Sequence, residues 1–308
     1  KKMHSAIEFD SVFEVRKGIT IKNRFFKSAM SEQLGDKNHN PTMGLIKLYD
    51  TWAQGGTGLL MTGNVMVDRQ ALGEPKNVVL DYKSDLDVFK RWSKASQKGG
   101  AKVWMQLNHP GKQIPKFLCK EPVAPSAIPL GGGLEKNFNA PKALSIEGIQ
   151  TIIKQFATAA RLAKETGFDG VQIHGAHGYL VSQFLSPRHN KRTDEWGGSI
   201  ENRMRFVLEV YRAIKAEVGE DFPIGIKLNS ADYMKGGFDD TDSMAVVESL
   251  AEVGIDLIEV SGGTYESPSM VGYKVKESTQ KREAYFLEFA EKIRKLVSTP
   301  LVVTGGFR

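Results

Sequence analysis

The chain has 308 residues, 41% hydrophobic and 25% charged, which is typical of a globular protein. No apolar run approaches the roughly 20 residues that cross a bilayer, and the polar first residues are unlike a secretory signal, so we expect a cytoplasmic protein with no membrane partner. The net charge of +6 is spread without a basic block, which argues against a nucleic-acid partner, and the single cysteine, Cys119, has no disulfide partner in the chain.

Short β-type runs alternate with amphipathic helical stretches along the chain. The predicted strands are Phe25–Met30, Gly58–Thr62, Lys102–Leu107, Gly170–His174, Ile224–Asn229, Leu257–Ser261 and Leu301–Thr304. The predicted helices lie near 42–55, 84–99, 146–166, 199–218, 240–253 and 284–297. This alternation indicates parallel βαβ units, which build either a doubly wound sheet or an eight-stranded β/α barrel.

Glycines just before the strands favour the barrel. Gly-Gly pairs at 55–56 and 99–100, together with Gly167 and Gly254, stand where a helix-to-strand turn needs a residue with positive φ. Neither a Rossmann fingerprint nor a P-loop is present. The predicted fold is therefore α/β, a (β/α)8 TIM barrel, in one domain over residues 1–308. Because the chain ends just after a seventh predicted strand, we expect the eighth βα unit to lie in sequence beyond Arg308.

Two long irregular segments interrupt the alternation. Residues 110–145 and 262–283 are rich in glycine and proline, and each follows a predicted strand. Long connections in compact domains are usually functional, and loops after the strands lie on the catalytic face of a barrel. We therefore expect both excursions to cover that face.

Strand alternation places three polar side chains inside the barrel. If the β-branched and other apolar residues of each strand face the helices, then Gln106, His174 and Lys227 face inward near the carboxyl ends of three strands. These groups can be satisfied by one another and by water. Burying a lysine and an imidazole without partners is costly, so we favour a polar or anionic ligand at this rim.

Three sequence blocks resemble the Old Yellow Enzyme family of FMN-dependent NAD(P)H oxidoreductases, and the resemblance covers essentially the whole chain. The first block is Asn23-Arg24 with Ser28-Ala29-Met30-Ser31, and the second runs from Gln106 to Gly111. The third is His174-Gly175-Ala176-His177-Gly178-Tyr179, which continues through Gln183 to Arg203. The resemblance implies a single FMN-binding barrel domain.

The resemblance also implies where FMN would bind, tightly and without a covalent bond, across the mouth of the barrel. The implied cofactor contacts are Ser28, Ala29, Met30, Ser31, Gly63, Gln106, Lys227, Gly305 and Gly306. Ser31 stands where relatives often have Cys or Thr, and its hydroxyl can bond the flavin O4 edge or, alternatively, cap its own loop. Lys227 stands where many relatives carry an arginine near flavin N1 and O2, and a cation there stabilises reduced flavin.

The other implied contacts act through backbone or amide groups. Ser28, Ala29 and Met30 would touch the ring with backbone atoms, and Gly63 would let the backbone approach it closely. The Gln106 amide can donate to and accept from the pyrimidine edge. The backbone N–H groups of Gly305 and Gly306 would bind the phosphate.

The third block carries the implied catalytic and substrate-binding residues. His174 and His177 resemble the pair that holds a substrate carbonyl oxygen, and Tyr179 resembles the general acid that protonates the α-carbon. A zinc site at the two histidines lacks a nearby third ligand, so we expect no metal. A surface-loop pair of His177 and Tyr179 is the alternative without a function.

The resemblance predicts ping-pong reduction of electron-poor C=C bonds, such as those of α,β-unsaturated carbonyls, with NADH or NADPH as reductant. Quinone-like acceptors are further candidate substrates, and a homodimer or homotetramer is a possible assembly. Two alternatives stay open. The chain could be the barrel portion of a larger flavin/iron–sulfur enzyme of the 2,4-dienoyl-CoA reductase type, or a ligand-binding barrel without turnover.

Overall fold

The computed structural model describes residues 8–266 and 278–304, except for the side chains of residues 278–285. The strands are β1 (Phe13–Arg16), β2 (Ile19–Ile21), β3 (Phe26–Lys27), β4 (Leu59–Met61), β5 (Val65–Met66), β6 (Val78–Val79), β7 (Lys102–Asn108), β8 (Val123–Ala124), β9 (Lys142–Ala143), β10 (Gly170–Gly175), β11 (Ile224–Asn229), β12 (Leu257–Ser261) and β13 (Leu301–Val303). The helices are α1 (Met43–Gln54), α2 (Leu86–Ser96), α3 (Ile146–Glu165), α4 (Leu180–Leu185), α5 (Ile200–Arg203), α6 (Arg205–Val218), α7 (Asp240–Val253) and α8 (Ser278–Leu296).

Seven parallel strands form the wall of a barrel in chain order. The hydrogen-bonded path runs β3-β4-β7-β10-β11-β12-β13, and every neighbouring pair on it is parallel. These are the seven strands that the sequence predicts, so the α/β barrel fold is confirmed. Helices α1, α2, α3, α6, α7 and α8 connect or follow them, as βαβ units require.

The first predicted strand, Phe25–Met30, is too long. Its ladder ends at Lys27, because the chain then turns so that the carbonyl of Met30 lies against Gly63 instead of pairing along β4. Six short strands were not predicted: the antiparallel pair β1-β2, the parallel pair β8-β9, and β5 with β6 beside β7. Each has two to four residues, too few to show a hydrophobic period.

The core lies mainly between the strands and the helices. Outward-facing residues of β7, β10 and β11, such as Met105, Ile173 and Ile226, join a large buried cluster with the helices. A second, smaller cluster fills the lower interior of the barrel around Trp104. A Cβ at Gly170 would lie 2.7 Å from the Trp104 ring and one at Gly225 3.0 Å from it, so the neighbouring strands carry glycines. The alternation inferred from the sequence is confirmed.

Turns at the ends of the helices also match the sequence. Gly167 and Gly254 have φ values of 92° and 100°, and Gly254 caps α7 in the left-handed conformation. Gly55, the first of its pair, differs, since it has φ of −73° and Gly56 supplies the positive φ of 97°.

Both predicted excursions follow the carboxyl ends of strands. Residues 110–145 follow β7 and carry β8 and β9, whereas residues 267–277 of the second excursion lie outside the described residues. Glu266, in the second excursion, accepts a hydrogen bond from the backbone N–H of Gly131 at 2.8 Å and pairs with His189 at 2.7 Å. These contacts join the loops that follow three strands. In the described part of the chain, no helix is long and apolar enough to cross a membrane.

Candidate active site

A row of polar side chains crosses the barrel interior near the carboxyl ends of the strands. Gln106 donates to Gln172 at 2.9 Å, and Gln172 donates to Glu259 at 2.8 Å. Glu259 pairs with Lys227, whose Nζ lies 3.4 Å from Oε1. The predicted inward residues Gln106 and Lys227 therefore belong to one network. Their hydrogen-bonding groups are partly satisfied by neighbouring polar side chains, which is the alternative to a ligand that the sequence left open.

Glu259 is the charged member of this row that sequence reasoning missed. It is fully buried, and burial alone would raise its pKa, but Lys227 and the hydrogen bonds from Ser28, Gln172 and Thr304 hold the pKa below its usual value. Glu259 is therefore ionised and paired. Its inward position could have been found by alternation, because Ile258 and Val260 face the helices.

The two histidines lie together at the end of β10. Their rings are 5.2 Å apart in an edge-to-face arrangement. Desolvation lowers the pKa of His174 and of His177 well below the usual value, and the Lys227 charge lowers both further. Both imidazoles are therefore neutral at neutral pH, and each offers one N–H donor.

Backbone and hydroxyl contacts fix how each ring is presented. The Ala176 N–H donates to His174 Nδ1 at 3.3 Å, so the proton of the neutral ring is on Nε2. His177 Nε2 lies 2.6 Å from the Ser261 hydroxyl, which can therefore set the tautomer of this ring.

The backbone of His177 is held in an unusual conformation. Its φ is +63°, a left-handed value that costs a non-glycine residue about 1–2 kcal/mol. Asn229 Oδ1 accepts from the His177 N–H at 3.2 Å, and Gln113 donates to the His177 carbonyl at 3.0 Å. These contacts, from the end of β11 and from the excursion after β7, hold the His177 backbone in this conformation. A single sequence gives no signal for them, because they join positions far apart in the chain.

Tyr179 lies directly beside the histidine pair. Its ring centroid is 4.9 Å from that of His174, and the side chain is 4% exposed. Burial and the neighbouring Tyr265 raise the pKa of Tyr179 well above its usual value, although the Asn64 amide acts in the opposite direction. Tyr179 therefore keeps its proton at neutral pH. The structure thus brings the three predicted catalytic residues into one cluster and does not leave them as a surface-loop pair.

The segment predicted to contact flavin lies beside Gly63. A side chain at Gly63 would collide with the carbonyl of Met30 and with Glu32, which explains the glycine by close packing of two strand-end segments. Ser31 donates to Glu74 at 2.8 Å and does not cap its own loop. Ser28 contacts Glu259 and lies 3.3 Å from Lys227 Nζ. Ala29 lies between Ser28 and Met30 in this segment. The contacts of these residues with flavin stay predictions.

The residues present are chemically suited to a flavin. Several buried polar atoms at the strand ends have no hydrogen-bond partner among the described residues: Asn64 Oδ1, both amide atoms of Asn108, and Thr264 Oγ1. Buried polar groups in native proteins are normally satisfied, so these atoms can donate to or accept from a polar ligand bound at the barrel mouth. The predicted phosphate contacts Gly305 and Gly306 lie outside the described residues.

Comparisons with known proteins cover the sequence and the fold of nearly the whole chain. The sequence model of the NADH:flavin oxidoreductase / NADH oxidase family matches residues 13–308. The NADH-dependent flavin oxidoreductase iliE of Hypocrea jecorina is 39% identical over 96% of this chain and 79% of its own length. A 2-naphthoyl-CoA reductase, solved with 2-naphthoyl-CoA, has a TM-score of 0.86 at 28% identity, over 96% of this chain and 46% of that chain. An old yellow enzyme homologue from Zymomonas mobilis has a TM-score of 0.81 at 23% identity, over 98% of this chain and 83% of that chain.

The barrel fold and the family match together define a class of flavin-dependent oxidoreductases. The chain belongs to the NADH:flavin oxidoreductase / NADH oxidase family, which is the Old Yellow Enzyme family. The predicted family, the oxidoreductase class and the use of FMN with NADH or NADPH are therefore confirmed. An enzyme is thus favoured over a ligand-binding barrel without turnover.

Proposed function

We propose that this enzyme reduces electron-poor C=C bonds, such as those of α,β-unsaturated carbonyl compounds, in a ping-pong reaction with NADH or NADPH. The observation that carries the proposal is the cluster of His174, His177 and Tyr179. The two imidazoles and the phenol are uncharged and lie in a buried site, where hydrogen-bond donors are most effective.

FMN would be held by the backbone of Ser28–Ser31, by Gly63 and Gln106, and by the positive charge of Lys227. When bound, FMN supplies the hydride that reaches the β-carbon of the substrate. Lys227 offers a cation that is already desolvated and neutralised in part by Glu259, at 3.4 Å. Such a pair places a positive charge without leaving it alone in the barrel interior.

The histidines orient and polarise the substrate. His174 Nε2–H is available because Nδ1 is engaged by the Ala176 N–H, and His177 can offer Nδ1–H when Ser261 donates to Nε2. Two donors aimed at one carbonyl oxygen stabilise the negative charge that develops on it. A neutral imidazole donates a hydrogen bond but does not give up its N–H proton at neutral pH. The carbonyl oxygen is therefore hydrogen-bonded and not protonated.

Tyr179 supplies the proton for the α-carbon. Its hydroxyl keeps its proton until a strongly basic carbon is presented, because burial holds its pKa high. Quinone-like acceptors fit the same pocket chemistry, since their carbonyl oxygens can accept from the same two histidines.

Product analysis tests this function. FMN-loaded protein is incubated without oxygen with NADH or NADPH and 2-cyclohexenone. We expect cyclohexanone to form in an amount equal to the NAD(P)H oxidised. If the reductant is consumed with quinones or oxygen but no saturated ketone forms, the enzyme is an oxidase or quinone reductase and the proposal is wrong.

A second candidate is suggested by the 2-naphthoyl-CoA reductase, since this chain matches 46% of that longer protein with a TM-score of 0.86. The chain would then be the barrel portion of a larger flavin/iron–sulfur enzyme acting on an unsaturated CoA thioester. The intact mass and iron content of the protein from its native source distinguish the two. Iron bound to a much longer chain favours the larger enzyme, and an iron-free yellow protein favours the first proposal.

A further inference from the structure

Tyr265 is a second tyrosine in direct contact with the site. It follows β12, and its hydroxyl oxygen lies 2.6 Å from that of Tyr179. The two rings are 5.8 Å apart at an angle of 72°. Phe138, from the excursion after β7, also packs on Tyr265, with the two ring centroids 6.2 Å apart. Neither the sequence motifs nor the reaction proposed above gives Tyr265 a role.

We propose that Tyr265 is a proton-relay and positioning residue, which passes a proton to Tyr179 as Tyr179 protonates the substrate. The inference rests on the acid role proposed for Tyr179. A distance of 2.6 Å is that of a direct hydrogen bond between two hydroxyl oxygens, in which either can be the donor. The contact therefore gives a proton a direct path from one tyrosine to the other.

The proton steps balance without a further reactant. The Tyr179 O–H bond breaks as the C–H bond at the substrate α-carbon forms. In the same step the Tyr265 O–H bond breaks and its proton forms a new O–H bond at Tyr179, which leaves the phenolate at Tyr265. Tyr265 recovers its proton from water. No electrons move in these steps, since the hydride transfer is complete before or with the first of them.

Burial explains why a relay is needed. Tyr179 is 4% exposed, so a phenolate there is desolvated and costly. Tyr265 is only half-buried and stands nearer to water. Burial raises the pKa of both hydroxyls. Because a negative charge is less costly on the more exposed Tyr265, a proton shared by the two resides on Tyr179, which is the direction that restores the acid.

Among the described residues, the other charged and polar groups nearest the pair are His174, Glu74 and Asn64, whose amide hydrogen-bonds to Tyr179. The nearby His174 ring is neutral and engages a backbone N–H through Nδ1. The negative charge of Glu74 raises the pKa of both tyrosines, and its carboxylate accepts hydrogen bonds from Ser31 and Gln33. Within the described residues, the hydroxyl in contact with Tyr179 is that of Tyr265.

The test uses Tyr265→Phe, which keeps the ring and its packing on Phe138. Pre-reduced, FMN-loaded protein is mixed without oxygen with 2-cyclohexenone in mixtures of H2O and D2O. We expect wild-type reoxidation to show a curved proton inventory, because two protons move together. In Tyr265→Phe we expect a linear inventory and a rate about 10- to 100-fold lower, since one hydrogen bond to a charged group is lost. Reduction by NADH should be unchanged.

Two control variants distinguish the effect of losing the Tyr265 hydroxyl from the effect of disturbing the packing of its ring. Phe138→Leu disturbs the support of the ring but keeps both hydroxyls, so its inventory should stay curved. Tyr82→Phe removes the hydroxyl of a tyrosine that is 75% exposed and should behave as wild type. A readout independent of turnover is the hydroxyl proton resonance in the NMR spectrum of the oxidised protein. We expect a downfield, exchange-protected signal that is lost in Tyr179→Phe and in Tyr265→Phe but kept in Tyr82→Phe.

The outcomes distinguish the relay from the acid role. If Tyr179→Phe slows reoxidation but Tyr265→Phe keeps the wild-type rate and curvature, the relay is wrong and the acid role stands. If Tyr179→Phe leaves reoxidation unchanged, the proposed function of Tyr179 is wrong and the relay fails with it. A linear inventory in Phe138→Leu would mean that packing, not the hydroxyl, is responsible.

Discussion

At the scale of single residues, the barrel mouth combines one buried ion pair with three uncharged donors. Lys227 and Glu259 are paired beneath the strand ends, whereas His174, His177 and Tyr179 hold their neutral forms. This separation follows from burial, which penalises every charge that lacks a partner. The charged pair suits cofactor tuning, and the neutral cluster suits substrate binding and protonation.

Glu259→Gln tests the tuning role. Removing the carboxylate leaves the Lys227 charge less neutralised, so the anionic reduced flavin should be favoured. We expect the midpoint potential of bound FMN to rise, on the order of 30 mV for a tenfold change in the redox equilibrium. Spectroelectrochemical titration measures it, with the exposed Glu252→Gln as the matched control. An unchanged or lower potential would show that Lys227 does not act on the flavin.

At the scale of elements, loops after different strands are joined by a buried set of charges. Lys112 Nζ contacts His189 Nδ1 at 2.7 Å and the Ile128 carbonyl at 2.6 Å, and Glu266 lies on the far side of the His189 ring. Burial lowers the pKa of Lys112 to about 8, partly offset by Glu266. The set ties the excursion after β7 to the loops after β10 and β12, and so fixes the surroundings of Tyr265.

Glu266→Gln should loosen this set. The Glu266 side chain is 2% exposed and accepts from the Gly131 N–H and the His189 ring, and hydrogen bonds to a charged group contribute about 1.5–3 kcal/mol. We expect a loss of this order in the free energy of unfolding, measured by urea denaturation, and faster hydrogen exchange at the Gly131 amide. Glu220→Gln is the control, since that carboxylate is 85% exposed and its pair with Lys215 contributes little. Equal stabilities of the two variants would contradict the account.

The elements also show what a sequence can and cannot predict. Alternation of apolar residues located the seven barrel strands and placed Gln106, His174 and Lys227 inside, because side-chain direction has a fixed period in a strand. The partners of those residues were not predictable. Glu259 reaches Gln172 across 87 positions of the chain, and the left-handed backbone of His177 depends on Asn229, 52 positions away. Such contacts exist only after the barrel closes.

At the scale of the whole molecule, the barrel divides into a floor and a mouth. The floor is apolar, where Trp104 fills the space left by Gly170 and Gly225. The mouth is polar and carries groups, such as those of Asn108 and Thr264, that have no hydrogen-bond partner among the described residues. A packed floor beneath a polar mouth is the arrangement in which a barrel gains stability at one end and binds ligands at the other.

Gly170→Ala tests the packed floor. The added Cβ would lie 2.7 Å from the Trp104 ring, so the ring or the strand must shift. We expect a loss of about 1–3 kcal/mol in the free energy of unfolding, as overpacking of a core usually gives. Gly44→Ala in α1 is the matched control, because a Cβ there meets only the Thr42 hydroxyl at 3.7 Å and alanine favours the helix. Thermal denaturation of both variants measures the difference, and a stable Gly170→Ala would mean that the floor is not close-packed.

The most direct test of the central claim is to separate the two half-reactions in Tyr179→Phe. The FMN-loaded variant is reduced by NADH or NADPH in an anaerobic stopped-flow instrument and then mixed with 2-cyclohexenone. We predict nearly normal reduction by NAD(P)H and reoxidation by the enone slowed about 10²- to 10⁴-fold, because only the second step needs the Tyr179 proton. If both half-reactions slow together, or neither does, Tyr179 is not the acid and the catalytic account of the site is contradicted.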